Sequence, residues 1–438
     1  MNVSGSPVTP AAAAAATAWP LRPLRPLLDI LSTASWTQLL VPAVLAYLGL
    51  CRTLRFRREH ALRRRFGYHD RASLARMTTE EAQQIVHFLS SWEFPLFNFL
   101  ALQFGLFKTY GVESISRLLL ATGNLTDPVK SLKRFEDTAA MIGEWLQNPP
   151  TSERAMRGVA RMNFLHSRYI QEGTISNADL LYTLSVFITE PPRFCRLYEW
   201  RALNEMEYCA YGVLWKSVGD AMGIEYKGFL AKAESGWRDG VEFAEDIAAW
   251  AKAYEVVAMK PSHVCAKPAR ALIPIITYWT PSFATPFATK VVISLLGDRV
   301  REAFMLPEPD VLASATMTSL LALRLFVLRY LTLPRFFQLK RLNDPDPQTG
   351  RMTQKISYGN FPFYIKPTLW NRWISPTAWA VWLFGGKVPG DNPDEFMAQG
   401  YLFSDLGSQN RIGLGIEEME EDVSRMRESF GRGGCPFG

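Results

Sequence analysis

A chain of 438 residues, 48% apolar and 13% aromatic, can bury a substantial core and is too hydrophobic for a disordered adaptor. Its net charge of +6 is concentrated, because up to Arg76 eleven arginines and no lysine face three acids, a local +8 that leaves the remainder near −2. Cations confined to one stretch argue against a nucleic-acid groove, and five cysteines without CxxC or Cys/His spacing argue against a zinc module or disulfide framework and favour a reducing compartment.

Residues 1–29, with six consecutive alanines, read as a disordered N-terminal tail. Residues 30–54 read as a transmembrane anchor: the run from Ile30 to Cys51 carries no charge and has the length, about 20 residues, that a bilayer core requires. Pro42 and Gln38 leave a buried core helix as the alternative. A signal peptide fits less well, since no basic region opens the chain and no small-x-small site precedes the arginines. Residues 55–76 form a basic juxtamembrane segment. Seven arginines between Arg52 and Arg65 follow the span and only Arg22 and Arg25 precede it, which predicts a single pass with the C-terminal domain in the cytosol.

Residues 77–340 read as a helical catalytic domain. Thr78 with Glu81, Ser176 with Asp179 and Asn204 with Glu207 are capping-box patterns ahead of apolar residues at three- and four-residue spacing, and period-two strand patterns are scarce. The apolar run Ala315–Leu333 contains Arg324 and Arg329, so a buried core helix is expected there rather than a second span. Residues 341–438 form an aromatic-rich extension and tail. Trp370, Trp373, Trp379 and Trp382 fit either a membrane interface or an ordinary packing subdomain, and the end, through Cys435, is expected to be flexible.

Chemistry concentrates on either side of Pro149-Pro150. A helix across Leu132–Leu146 puts Arg134 and Thr138 four residues apart on one face, with Asp137 beside them. Spacing alone fits a surface Arg/Asp pair as well as a site that aims a cation and a hydroxyl into one space. The next helix, capped by Thr151 or Ser152, carries Met156, Val159, Asn163, His166 and Ile170 as a stripe, away from Arg154, Arg157, Arg161 and Arg168. His166 is therefore either a neutral imidazole able to ligate iron or a satisfied core histidine. The other histidines make no metal-binding spacing, and GxSxG, GxGxxG and Walker loops are absent from the sequence.

Arg134-Phe-Glu-Asp-Thr138, Ala160-Arg-Met-Asn-Phe-Leu-His166, Asn177-Ala-Asp-Leu-Leu-Tyr-Thr-Leu184, Glu199-Trp200 and Trp215-Lys-Ser-Val-Gly219 resemble the MpaB and rubber-oxygenase (latex clearing protein) family. The resemblance runs from Phe56 to near Gly390 and is closest to the fungal, membrane-anchored MpaB-type branch. It implies an all-α domain around haem b that uses dioxygen to cleave isoprenoid double bonds; MpaB-type members trim a farnesyl chain on an aromatic polyketide in mycophenolic-acid biosynthesis at the endoplasmic reticulum. It further implies that His166 is the proximal haem ligand and that Arg134 and Thr138 are the Arg-x-x-x-Thr pair of the distal side. Where the rubber-cleaving branch has a lysine before the threonine, this chain has Asp137, expected to orient Arg134, and that branch's upstream glutamate has no counterpart here.

The expectation is thus a mainly α, haem-binding oxygenase domain behind an N-terminal single-pass transmembrane helix, facing the cytosol at the endoplasmic reticulum. Its partners would be dioxygen, the membrane and a lipophilic prenylated substrate whose farnesyl-like chain is cleaved in a specialised-metabolite pathway. A haem-dependent hydroxylase or oxidase that leaves the chain intact, or a non-catalytic membrane-anchored scaffold, are the alternatives.

Overall fold

The computed structural model describes residues 35–123, 128–277, 280–355, 361–430 and 434–437; the N-terminal tail and the first residues of the expected anchor lie outside these. One compact unit takes in the chain up to Arg58 with Leu328–Pro334, and a second holds Glu59–Val327 and Arg335–Gly438. The fold is helical, and the described residues contain isolated bridges but no strand.

In the first unit, helix α1 (Trp36–Arg55) starts where the Ser35 amide donates to the Gln38 side chain, 2.9 Å away. Its leucines and valines are largely exposed, which removes the buried-core reading and suits a helix surrounded by lipid. At its far end Arg55 donates to the Thr332 carbonyl and hydroxyl, and Tyr47 donates to the Leu331 carbonyl at 3.0 Å.

The second unit is built from α2 (Thr79–Phe88), α3 (Pro95–Thr109), α4 (Pro128–Gln147), α5 (Glu153–Gln171), α6 (Asn177–Tyr198), α7 (Glu205–Ala221), α8 (Gly240–Ala258), α9 (His263–Ile276), α10 (Val311–Phe326) and α11 (Ile416–Phe430), with shorter turns between them. The three capping boxes form: the side chains of Thr78, Ser176 and Asn204 accept the amides of Glu81, Asp179 and Glu207. Ser152 caps α5. Helix α3, apolar on every side, is buried against α6. Helices α7 and α8 approach more closely still, because Gly212 and Gly240 meet where they cross: a Cβ on Gly212 would lie 1.9 Å from the Gly240 carbonyl oxygen.

The described residues of 335–414 have little regular structure and lie against α4 and α5 within this unit. The joints are polar. Arg341 pairs with Glu136 at 2.9 Å, the Tyr364 hydroxyl donates to Asp137, and Tyr401 donates to Glu144 at 2.9 Å, while Arg154 of α5 grips Glu144 from the other side. Arg161, expected on a charged face, is fully buried and donates to the carbonyls of Ser404, Leu406, Arg411 and Leu414.

Two expectations are corrected, for the apolar run and for the C-terminal end, and the open alternative for the tryptophan segment is narrowed. The apolar run around Ala315–Leu333 is not a buried core helix, since α10 keeps one narrow stripe inside and exposes the rest; Arg324 turns inward to the Tyr198 carbonyl and Glu199, so its charge does not force the apolar face into the core. The tryptophans at 370, 373, 379 and 382 are more than half exposed, which an ordinary packing subdomain would not leave. Residues 434–437 dock rather than trail: the Gly434 carbonyl accepts the Thr79 amide, Cys435 bonds the Ala75 carbonyl, and the Phe437 ring lies 6.1 Å from that of Phe243.

Gly212→Ala should lower the unfolding midpoint sharply, with a loss of about 1–3 kcal/mol or more from overpacking. Gly49→Ala, whose Cβ would meet nothing within 4 Å, should leave the midpoint unchanged; thermal melts of the two detergent-solubilised variants make the comparison.

Candidate functional site

A cavity of about 410 Å³ lies inside the second unit, walled by α3, α4, α5, α6, α7, α9 and the helix Glu113–Ala121. This is within the size range of small-molecule sites, and its walls are mostly aromatic and aliphatic, including Phe99, Phe104, Trp145, Phe187 and Trp215. The Phe187 and Trp215 rings stack with centroids 4.6 Å apart, and Trp145 meets Trp215 edge-on at 6.1 Å.

Arg134, Thr138 and His166 all reach this wall. Helical periodicity explains why: residues 131, 134, 135, 138, 142 and 145 share one side of α4, and His166 on α5 faces the same space. The imidazole is enclosed by protein, with its exposed area opening to the cavity; burial, and then the nearby Arg134 charge, push its pKa down to about 4. It is therefore neutral at pH 7, with a lone pair free for a ligand. Thr138 donates its hydroxyl proton to the Arg134 carbonyl at 3.0 Å, so while that bond holds it can only accept from a bound molecule.

Four cavity-lining residues carry a buried nitrogen with no hydrogen-bond partner: Arg134 Nη1, His166 Nδ1, Trp145 Nε1 and Trp215 Nε1. Such orphans are uncommon in folded proteins and costly. Arg134 Nη1, His166 Nδ1 and Trp215 Nε1 gather beside one cavity, whereas Trp145 Nε1 lies against Gly158 of α5, where an added Cβ would stand 2.8 Å from it. The described residues contain no cluster of three or more His, Cys, Asp or Glu that could hold a metal ion.

Asp137 sits elsewhere. Its carboxylate is buried on another side of α4 and accepts from Lys133 Nζ at 2.8 Å, the Gly407 amide at 2.9 Å and the Tyr364 hydroxyl. Burial raises its pKa against the pull of Lys133. It does not line the cavity, and the expectation that it orients Arg134 is corrected: the i,i+4 partner Lys133 and the returning C-terminal segment take its acceptor sites. On α5, Asn163 bonds the Ala221 carbonyl and Asp422, and Ile170 is exposed, so the expected stripe contributes only His166 and the flanking Met162 to the cavity.

Sequence reasoning missed the far wall. Phe99, Gln103 and Phe104 of α3 line the cavity, but a helix apolar all round gives no sign of which side faces a void. Asp179, visible as a cap, also lines it, its carboxylate held by Ser114 at 2.6 Å and Tyr254 at 3.2 Å.

Residues 111–327 match the family described as ER-bound oxygenase mpaB/B'/Rubber oxygenase, catalytic domain, a stretch that contains Arg134, Thr138 and His166. The chain is 39% identical over 407 residues to the ER-bound oxygenase mpaB' of Penicillium brevicompactum, covering 93% of this chain and 96% of that protein. It is 38% identical over 377 residues to the ER-bound oxygenase mpaB of the same species, covering 86% and 89%. It is 41% identical over 273 residues to the ER-bound oxygenase mpaB of Penicillium roqueforti (strain FM164), covering 62% and 91%.

Asp137→Ala, which takes the carboxylate from Lys133 and leaves the Tyr364 hydroxyl and the Gly407 amide without their acceptor, should cost about 3 kcal/mol of stability, whereas Thr138→Val, which loses one hydroxyl bond to the Arg134 carbonyl, should cost about 1 kcal/mol. Denaturant unfolding of the two variants checks this. A normally stable Asp137→Ala protein would contradict the strut assignment.

Proposed function

The chain belongs to the ER-bound oxygenase mpaB and rubber oxygenase family, and on that premise we propose that it is a membrane-anchored, haem-dependent oxygenase that splits a double bond in the prenyl chain of a lipophilic specialised metabolite. The observation that carries this reading is the convergence of neutral His166 and the unpartnered Arg134 nitrogen on one apolar cavity. It is an oxygenase by family, so dioxygen and an organic substrate are its reactants.

The donor set fits haem b. His166 would hold the haem iron through its imidazole, which the apolar chamber keeps neutral. Bound there, haem would supply the redox-active iron that dioxygen activation requires. Arg134 is the one lysine or arginine on the described cavity wall, and it supplies positive charge where oxygen reduction develops negative charge. Thr138 accepts from a bound group and, through its bond to the Arg134 carbonyl, stiffens the turn that carries the guanidinium. The aromatic walls exclude water and favour an apolar chain over a polar one. Cleavage of one carbon–carbon double bond by one dioxygen gives two carbonyl groups, which balances without an external reductant.

A prenylated substrate partitions into membrane, where the relatives are named as residing. Helix α1 as a single pass, followed by the arginines from Arg52 to Arg65, supports a catalytic unit on the cytosolic face of the endoplasmic reticulum.

Purified protein supplemented with haem should show a Soret band that His166→Ala abolishes or shifts; its absence in the parent protein would sink the cofactor assignment. With ¹⁸O-labelled dioxygen and a farnesylated aromatic substrate, one labelled oxygen should appear in each of two carbonyl fragments, and a product of unchanged carbon count would rule cleavage out. Arg134→Ala should keep the Soret band and lose about 10²-fold or more in turnover.

A further inference from the structure

Among the described residues two single helical runs are long and apolar enough to cross a membrane by length and composition, Trp36–Phe66, which contains α1, and Val311–Leu331, which contains α10, while Thr79–Glu93 with Pro95–Thr109 passes only as a pair bent by 112°. We infer that the second does not cross but lies in one leaflet of a phospholipid bilayer, its outer face in lipid and its inner stripe bound to the catalytic unit. The inference concerns how the unit meets the membrane, and it is independent of the cofactor and substrate assigned above.

The flanks of α10 argue against a crossing. A crossing α10 could not be separated from α3, because its flanks are tied to the two ends of that helix: before α10, Phe304 packs on Phe107, near the end of α3, with ring centroids 5.0 Å apart, and after it the Leu339 amide donates to the Ser91 carbonyl at 2.9 Å, just ahead of the start of α3. For α10 to cross, α3 would have to cross with it, together with α6, on which α3 is packed. The charges of that packing, Lys108 with Glu190 and Glu255, and Arg193 with Glu190, would then enter the bilayer. Such groups are expensive in hydrocarbon.

The helix is nevertheless two-faced. Its inner stripe is fastened by Ser314 to Ser294 at 2.9 Å, by Leu321 against the Phe97–Phe194 cluster, and by Arg324 to the Tyr198 carbonyl at 2.6 Å and Glu199 at 3.0 Å. Its outer face shows Val311 at 84% exposure, Leu312 at 70%, Leu323 at 59% and Phe326 at 52%, without a charged side chain between Val311 and Leu323. So large an apolar strip marks an interaction surface.

What covers it follows from continuity. Beyond α10 the chain enters the unit that contains the anchor, where Tyr47 of α1 donates to the Leu331 carbonyl, so the far end of the same apolar run is hydrogen-bonded to the anchor helix itself. Lipid that surrounds α1 is therefore at hand where this run ends. A helix with an apolar outer face and a polar attachment beneath is suited to the headgroup–acyl boundary.

The test uses the full chain in sealed microsomes with Cys435→Ser as background, whose four remaining cysteines are buried. Single cysteines replace Glu308 and Lys340 on the flanks, and Leu320 and Leu323 on the outer face. A membrane-impermeant maleimide should label Glu308→Cys and Lys340→Cys from the same side, and Leu320→Cys and Leu323→Cys only after detergent. A fluorophore on Leu323→Cys should lose emission when brominated phospholipids replace ordinary ones. Flanks labelled from opposite sides would make α10 a true span. Outer-face cysteines labelled as readily as Glu308→Cys without detergent, or protected but unquenched by brominated lipid, would show water or a protein partner on that face; each result overturns the inference.

Discussion

Helix α4 is bound on two sides by opposite chemistries, and the placement of everything else around it follows. Away from the cavity it carries Glu136, Asp137 and Glu144, all essentially buried, which water would otherwise solvate. Unpaired, each would cost several kcal/mol. They are answered by Arg341, by Lys133 with Tyr364 and the Gly407 amide, and by Arg154 with Tyr401. Paired ions of this kind add little net stability over an apolar contact, but they permit one register only, because shifting α4 by a residue would strand all of them. That fixes the angle at which Arg134 and Thr138 enter the cavity.

Helix α5 is tied in the same way. Arg161 spends its guanidinium on four backbone carbonyls instead of a carboxylate, so the loop around Leu406 and Leu414 is shaped by a cation buried five residues before His166. Burial, with the Arg411 charge beside it, outweighs the pull of Asp137 and Asp405 and lowers that guanidinium's pKa to about 10, still well above neutrality, so the cation persists. The two helices that hold the polar residues of the site are therefore clamped from behind by the same stretch of chain. The front can remain apolar and hollow, with nitrogens left unsatisfied, because stability is supplied elsewhere.

The sequence made the helices legible where local signals agree with tertiary ones: the caps at Thr78, Ser176 and Asn204, and the face shared by Arg134 and Thr138. His166 could be placed on an apolar stripe, but whether that stripe met packing or a void depended on α3 and α7, whose cavity walls carry no periodic mark. Asp137 was misread because an arginine three residues away is visible in the sequence, while Gly407 and Tyr364, more than two hundred residues on, are not. The same distance hid the burial of Arg161. For α10 the pattern supplied the hydrophobicity and the arginines correctly, but only the direction of Arg324 decides whether such a helix sinks into a core or presents its greasy side outward.

The match to the catalytic domain spans residues 111–327, yet Arg341, Tyr364, Tyr401 and Gly407, which answer the buried charges of α4, all lie beyond its end, and the α3 wall of the cavity lies before its start. The stretch that the catalytic-domain match covers is therefore not a unit that can stand by itself, and the likeness to mpaB' runs well beyond it, over 407 residues or 93% of the chain. Trimmed to residues 111–327, the chain would keep Arg134, Thr138 and His166 but lose the counter-charges that hold them in place and one side of the chamber they face. In this protein the matched catalytic domain and the folding unit are different objects, and a change far outside residues 111–327 can reach Arg134 and Thr138 through the back of a single helix.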